Sequence, residues 1–195
     1  MTATLLLTLF ACSPEPAPED SASDTAIELT EGPSFAPYAE DGESVAQVDP
    51  SRYLGLWYEI ATTPSQQQAA CAGTTAEYSL IDAETIGVTN RCYVGGLNGR
   101  LSEIDATARP LDETYARLMV DFGFGFEAPY TVVELVEMPG EELYSYAVVT
   151  SGGFQYWVLS RTPVMSDEMY EELLARMDAS GADSSRLIPT KQPTD

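Results

Sequence analysis

The chain has 195 residues, with 31 Asp and Glu against 9 Lys and Arg and no His, for a formal net charge of -22. That charge excludes nucleic acid, whose phosphates need clustered cations, and any electrostatic hold on an anionic membrane surface. The absence of His removes the commonest general base and the commonest transition-metal ligand.

In chain order, the first feature is the apolar run Leu5-Leu6-Leu7-Thr8-Leu9-Phe10-Ala11, which ends at Cys12. Leu9-Phe10-Ala11-Cys12 resembles a bacterial lipobox, in which the Cys is acylated and becomes the mature N-terminus. Residues 1–12 are therefore expected to be a lipoprotein signal, with Cys12 the lipidation site. No Lys or Arg precedes the run and the run is short, which a longer N-terminus would explain. The alternative is a Leu-rich terminus with a chance Cys. Ser13, not Asp, follows Cys12 and favours the outer membrane of a Gram-negative envelope. Two or more acyl chains anchor firmly where one does not.

Residues 13–45 change composition. Pro14, Pro16, Pro18, Pro33 and Pro37 lie among Ser, Ala and Thr, and nine acids face no Lys or Arg. Such a stretch buries too little apolar surface to offset its ordering entropy, so it is expected to be a disordered, self-repelling tether. The folded domain is placed at 46–195.

Asp49-Pro50-Ser51-Arg52-Tyr53 reads as a helical turn, with Asp49 as cap and Pro50 at the first position, where a missing N–H costs nothing. Gly55-Leu56-Trp57 then enters a strand. Strands are expected at 56–62, 72–80, 85–92, 101–109, 115–122, 130–137, 143–150 and 154–161, each bounded by a short turn. Eight strands at this spacing predict an all-β fold, an antiparallel barrel or sandwich. Beyond Pro163, Ser166 or Asp167 can cap a helix whose Met169, Tyr170, Leu173, Leu174 and Met177 form one apolar face. Gly181 can stop it, and a last short strand is expected at 186–188.

This order, with Gly55-Leu56-Trp57 before the first strand and Tyr156-Trp157-Val158-Leu159-Ser160-Arg161-Thr162-Pro163 at the eighth, resembles the lipocalins. Within them it is similar to the bacterial outer-membrane lipoprotein group related to apolipoprotein D. Tyr144-Ser145-Tyr146-Ala147-Val148-Val149 falls where the family has its second signature, although the usual Thr-Asp-Tyr wording is absent. The resemblance implies an eight-stranded up-and-down antiparallel β-barrel with one C-terminal α-helix, shut at one end and open at the other. It implies structural roles for Gly55, Trp57 and Arg161, with the Arg161 guanidinium stacked on Trp57 across the base, worth about 1–2 kcal/mol when shielded from water.

Cys71 and Cys92 lie at the outer ends of an expected hairpin, so a disulfide between them is expected, closing a loop worth roughly 3 kcal/mol. The alternative is a reactive pair or metal site, for which the chain offers Arg91 nearby but no His. The cup should open at 63–70, 93–100, 123–129 and 151–153. Phe122, Phe124 and Phe126, separated by Gly123 and Gly125, read either as a flexible apolar lip or as rim packing. Gln66-Gln67-Gln68 reads as solvated loop. Candidate lining residues are Tyr78, Val88, Leu118, Val120, Val132, Tyr146 and Tyr156, any of which can equally be plain core. Arg100, Arg109 or Arg117 can meet a head group.

Apolar walls with a few hydroxyls suit a small hydrophobic ligand such as a fatty acid or lysophospholipid, bound without a cofactor or metal. The expected protein is a membrane-anchored carrier or store of such ligands, monomeric or weakly homodimeric. The second reading is a structural or envelope-stress lipoprotein with a filled barrel. An enzyme is the third: no Gly-x-Ser-x-Gly, Cys–His pair or phosphate loop is present, and no catalytic residue is assigned.

Overall fold

The structure, a computed structural model, describes residues 31–66 and 68–193. The expected acylation at Cys12 and the signal lie outside these residues, as does the tether as far as residue 30.

A two-residue strand, β1 (Ser34–Phe35), precedes the capped turn α1 (Pro50–Tyr53). Eight strands follow: β2 (Gly55–Thr62), β3 (Cys71–Asp82), β4 (Thr85–Val94), β5 (Arg100–Pro110), β6 (Arg117–Asp121), β7 (Glu127–Glu137), β8 (Tyr146–Ser151) and β9 (Gln155–Ser160). Each pairs antiparallel with the next, and β9 pairs back onto β2, so the sheet closes into an up-and-down barrel. Closure removes the exposed edges that an open sheet would present. Helix α2 (Asp167–Ala179) follows, then a 3₁₀ turn (Ser184–Arg186) and β10 (Ile188–Pro189).

Two expected strands are shorter than their sequence patterns. The stretch expected at 115–122 pairs only from Arg117, because Tyr115 takes a left-handed φ of 56° in the preceding turn. The stretch expected at 143–150 pairs from Tyr146, because Tyr144 folds over the barrel base, where its hydroxyl accepts from the Asp49 N–H at 3.0 Å.

Apolar side chains form two layers. The inner cluster fills the barrel around Trp57, Tyr78, Val88, Leu118, Val120, Val132 and Leu135. The outer one packs Met169, Leu173 and Met177 of α2 on Ala61, Val136, Val148 and Val158. The i, i+4, i+8 spacing of those three residues sets the buried helix stripe, and the Ser166 side chain caps the helix by accepting from the Met169 N–H. Burying each such side chain contributes roughly 1.5–3 kcal/mol.

Both flanking segments complete the wall. Short β6 leaves the base half of β7 unpaired, and β1 takes its place, with Ser34 opposite Glu137 and Phe35 opposite Val136. The Val45 N–H then donates to the Val132 carbonyl, and Val45 is fully buried in the inner cluster. Residues 34–45 are thus packed, against the expectation that the tether runs to 45. Phe35 and Val45 supply apolar anchors that the Pro-rich, acidic average conceals, and Asp41 pairs with Arg117. Arg176 of α2 clasps the same strap. It lies 4.1 Å over the Phe35 ring and pairs at 2.8 Å with buried Glu134, whose carboxylate also accepts from the Tyr38 hydroxyl.

At the opposite end, β3 pairs with β2 only from Gly55 to Tyr58. Beyond that point β10 pairs with β2, Ile188 opposite Thr62, and the Gly73 N–H donates to the Lys191 carbonyl at 2.7 Å. The C-terminal segment therefore fills a slot between β2 and β3.

Candidate functional site

The barrel base is sealed by Arg161. Its guanidinium lies 3.8 Å over the Trp57 ring, and its N–H groups donate to the carbonyls of Tyr144, Leu56, Arg52 and Tyr53 at 2.9–3.0 Å. Burial draws the guanidinium down to about 10, so it stays cationic at neutral pH. Gly55 has a φ of 95°, a conformation that resists any side chain, and a Cβ there would sit 3.6 Å from the guanidinium. The Trp57 indole N–H is satisfied by the Tyr53 carbonyl at 2.8 Å. These three residues hold the floor, with the Trp57 ring fully buried.

Above the floor lies a tyrosine cluster. The Tyr130 hydroxyl bonds those of Tyr53 at 2.6 Å and Tyr78 at 2.9 Å. Burial pushes the Tyr78 hydroxyl up to about 12, and burial first, then its two phenolic neighbours, raises Tyr130 well above the ordinary value. A void of about 20 Å³ remains beside them, lined by residues including Tyr78, Ile86, Leu118 and Val132. That is room for about one water. Tyr78, Val88, Leu118, Val120 and Val132 are all on the inner wall and buried. At this level the barrel is filled with its own side chains.

The other end differs. Ile104 pairs with Asn90 on the inner face, two residues along from the buried Val88–Ala106 pair, yet is 55 % exposed. The interior therefore opens to solvent at the height of Ile104. Phe122 is half-buried and joins the inner cluster, and Phe126 lies against it with ring centres 5.6 Å apart. Phe124 sits at the tip of the loop with a φ of 56° and is fully exposed. Gly123 and Gly125, both at positive φ, make this turn possible. Phe154 on the neighbouring loop is also exposed. The three Phe thus divide into one wall residue, one rim residue and one tip.

Two lining assignments are corrected. Tyr146 and Tyr156 point outward, into the cluster beneath α2, while Ala147, Val149, Trp157 and Leu159 take the inner positions. Tyr156 lines an exterior groove of about 410 Å³ with Tyr38, Arg117 and Met177. Arg109 and Arg117 are held on the outer surface by Glu127 and Asp41. Arg100 remains at the rim, exposed. Cys71 and Cys92 form a disulfide with Cα atoms 5.4 Å apart.

A polar group in the upper wall is not among the residues expected from the sequence. Glu59 pairs with Leu159 on the inner face, two residues beyond Trp57, and is only 4 % exposed. Its carboxylate accepts from the Gln68 amide at 2.9 Å and from the Thr190 hydroxyl. Gln68 turns inward rather than into solvent, and its amide oxygen accepts from the Trp157 indole N–H at 3.2 Å. Alternation from Trp57 is the signal that finds Glu59. Burial raises its pKa, and the bonds from Thr190 and Gln68 oppose the rise. Among the described residues no group of three or more Cys, Asp or Glu is placed to hold a metal.

Residues 48–192 match the Lipocalin-like domain family. The chain is 36% identical over 156 residues to a putative lipocalin of Acanthamoeba polyphaga mimivirus, covering 76% of this chain and 87% of that protein. It is 35% identical over 153 residues to the outer membrane lipoprotein Blc of Escherichia coli (strain K12), covering 76% and 82%. Among solved structures, insecticyanin from the tobacco hornworm Manduca sexta superposes with a TM-score of 0.62 at 21% identity, over 82% of this chain and 89% of that one, a likeness of fold. The barrel, its Trp57–Arg161 floor and these matches agree, and the chain belongs to the lipocalin family, whose members bind small hydrophobic ligands.

Proposed function

We propose that this protein is an envelope lipocalin, acylated at Cys12, that stores or ferries single-chain lipids of the fatty-acid or lysophospholipid type. The observation that carries the reading is the apolar mouth, where inner-face Ile104 stands half-exposed level with the Phe122–Phe126 turn and Phe124, Phe126 and Phe154 stand exposed around it. A single wet aliphatic side chain is ordinary, but a cluster of exposed apolar residues at one end marks a binding surface. The filled lower half limits the ligand to the upper half of the cup. The tail enters first, driven by apolar burial at about 25 cal/mol per Å². The lipobox-like Leu9-Phe10-Ala11-Cys12 and the similarity to outer membrane lipoproteins support an envelope location.

Native mass spectrometry of freshly purified protein tests the ligand. The expected result is a retained single-chain lipid, released on delipidation, after which the protein brightens a neutral polarity-sensitive dye. Protein that carries no lipid and takes up no dye refutes the reading and leaves the filled barrel, which the packed base favours. Cys12→Ala is expected to move the protein from the membrane to the soluble fraction, and a membrane-bound variant refutes the anchor.

A further inference from the structure

Glu59 is a buried carboxylate without a cationic partner. All nine Lys and Arg are placed, and none lies within ion-pair distance of it. Arg52, Arg91, Arg109, Arg117 and Arg176 pair with other acids, Arg161 lies in the floor, and Arg100, Arg186 and Lys191 are exposed. A buried charge is ordinarily neutralised by a partner. Among the described residues Glu59 has two neutral donors, Gln68 and Thr190, and a carboxylate has about four acceptor sites.

Its neighbours are short of donors too. The Gln192 amide nitrogen bridges the Glu59 and Thr74 carbonyls at 2.7 and 2.8 Å, so these two strands and the C-terminal segment meet within one amide's reach. The Gln192 amide oxygen is left buried and unpartnered. Thr74, 8 % exposed, shares the inner face with Ala76, because Thr75 pairs with the outward-facing Arg91. Its hydroxyl is also unpartnered. The Glu59 and Thr74 side chains thus share the inner wall beside the Gln192 amide, and of their carboxylate, hydroxyl and amide oxygen two are acceptors only.

We infer that Glu59, Thr74 and Gln192 form a head-group subsite at the mouth of the cup, which takes single-chain amphiphiles whose polar end donates hydrogen bonds, a hydroxyl or an ammonium, and rejects free carboxylates. This rests on the carrier reading and narrows it. The tail lies toward Ile104 and Phe122 while the head meets the oxygen cluster. A carboxylate head would bring a second anion against Glu59 with no cation on the inner wall to offset it. A lysophospholipid can present its glycerol hydroxyl and hold its phosphate further out toward solvent, whereas the only polar group of a fatty acid is the anion itself.

The test compares dodecylamine, monolaurin and laurate, which share chain length, in displacing a neutral dye from the delipidated protein at neutral pH. Dodecylamine is expected to bind about tenfold tighter than laurate, with monolaurin between. Glu59→Gln should shrink that gap to about threefold or less. Glu171→Gln, which removes the same charge from an exposed site on α2, should preserve it, separating the subsite from the field of the whole protein. Thr74→Val, which keeps Glu59 and the shape of the side chain, should weaken monolaurin several-fold and provides a reading if Glu59→Gln folds poorly. Laurate bound as tightly as dodecylamine, or a gap equal in Glu59→Gln and Glu171→Gln, overturns the inference while dye uptake leaves the carrier reading standing. No dye uptake by the wild-type protein overturns both.

Discussion

The two ends of this barrel solve opposite problems. At the base the buried polar side chains of the described residues are matched: Arg161 satisfies four carbonyls, the Trp57 indole has its acceptor, and three tyrosine hydroxyls satisfy one another. At the mouth, buried oxygens lack donors, a carboxylate lacks a cation, and aromatic rings stand in solvent. Saturated bonding at the base gives rigidity, and the unmet bonding at the mouth is what a ligand can complete. Stability and recognition should therefore separate along the barrel axis, with base substitutions unfolding the protein and mouth substitutions altering what it holds.

The strongest break of that separation is expected at the floor. Trp57→Ala removes a fully buried indole together with the ring beneath Arg161 and should destabilise by about 3–5 kcal/mol in urea unfolding. Next comes the disulfide, which joins residues 21 apart between β3 and β4. Replacing both cysteines with Ala should cost about 3 kcal/mol, measured by the same unfolding under oxidising conditions. Tyr130→Phe is the milder base variant. It leaves the Tyr53 and Tyr78 hydroxyls buried without their shared partner, for a loss of about 1–3 kcal/mol. If Tyr130→Phe changes ligand affinity more than stability, the tyrosine cluster belongs to the cup rather than to its floor.

How much of this was legible in the sequence follows the same axis. Asp49-Pro50 and Gly55-Leu56-Trp57 carry their own geometry, a capped turn and a positive-φ break, so the base could be read locally. Arg161 was readable as their partner through the family likeness. The inner faces of β8 and β9 were not, because α2 covers them from outside. Tyr146–Val149 is apolar on both faces for that reason, and alternation then cannot tell lumen from helix contact. The β2 bulge between Glu59 and Ala61 breaks the count again. The N-terminal strap failed differently: composition averages over residues 13–45, but packing needs only a few anchors such as Phe35 and Val45. The oxygen cluster was out of reach, since Gln192 meets Glu59 across 133 residues of chain.

A pH series sharpens the mouth side. Burial raises the folded-state pKa of Glu59, so the folded barrel holds this proton more tightly than the unfolded chain. The resulting stability is fully present below the unfolded glutamate value and is lost as pH rises through the folded value. Glu59→Gln has no such proton. The melting temperature of wild type relative to Glu59→Gln should therefore rise as pH falls from neutral toward the ordinary glutamate value of about 4. Asp49 and Asp112 pull the opposite way, because hydrogen bonds from Ser51 and Thr114 lower their pKa values. They are present in both proteins and cancel in the difference. A difference independent of pH would mean that Glu59 is solvated and that the mouth carries no uncompensated acid.

The smallest expected stability effect is at the tip of the rim. Phe124 is fully exposed and held at positive φ between two glycines, so it contributes nothing to the core. Phe124→Ser should shift unfolding by less than about 0.5 kcal/mol. A ring that shelters the tail of a bound lipid adds to the barrier against its leaving, so the variant should release a bound lipid several-fold faster in stopped-flow displacement. Phe122→Ser, by contrast, removes a ring from the inner cluster and should lower both stability and affinity. Equal release rates in wild type and Phe124→Ser, with Phe122→Ser still weakened, would put the rim at Phe122 and Phe126 and leave Phe124 as a solvent-exposed turn residue. Faster release at unchanged stability would place recognition and folding on different residues of one five-residue loop, the separation of base from mouth repeated at the scale of a single turn.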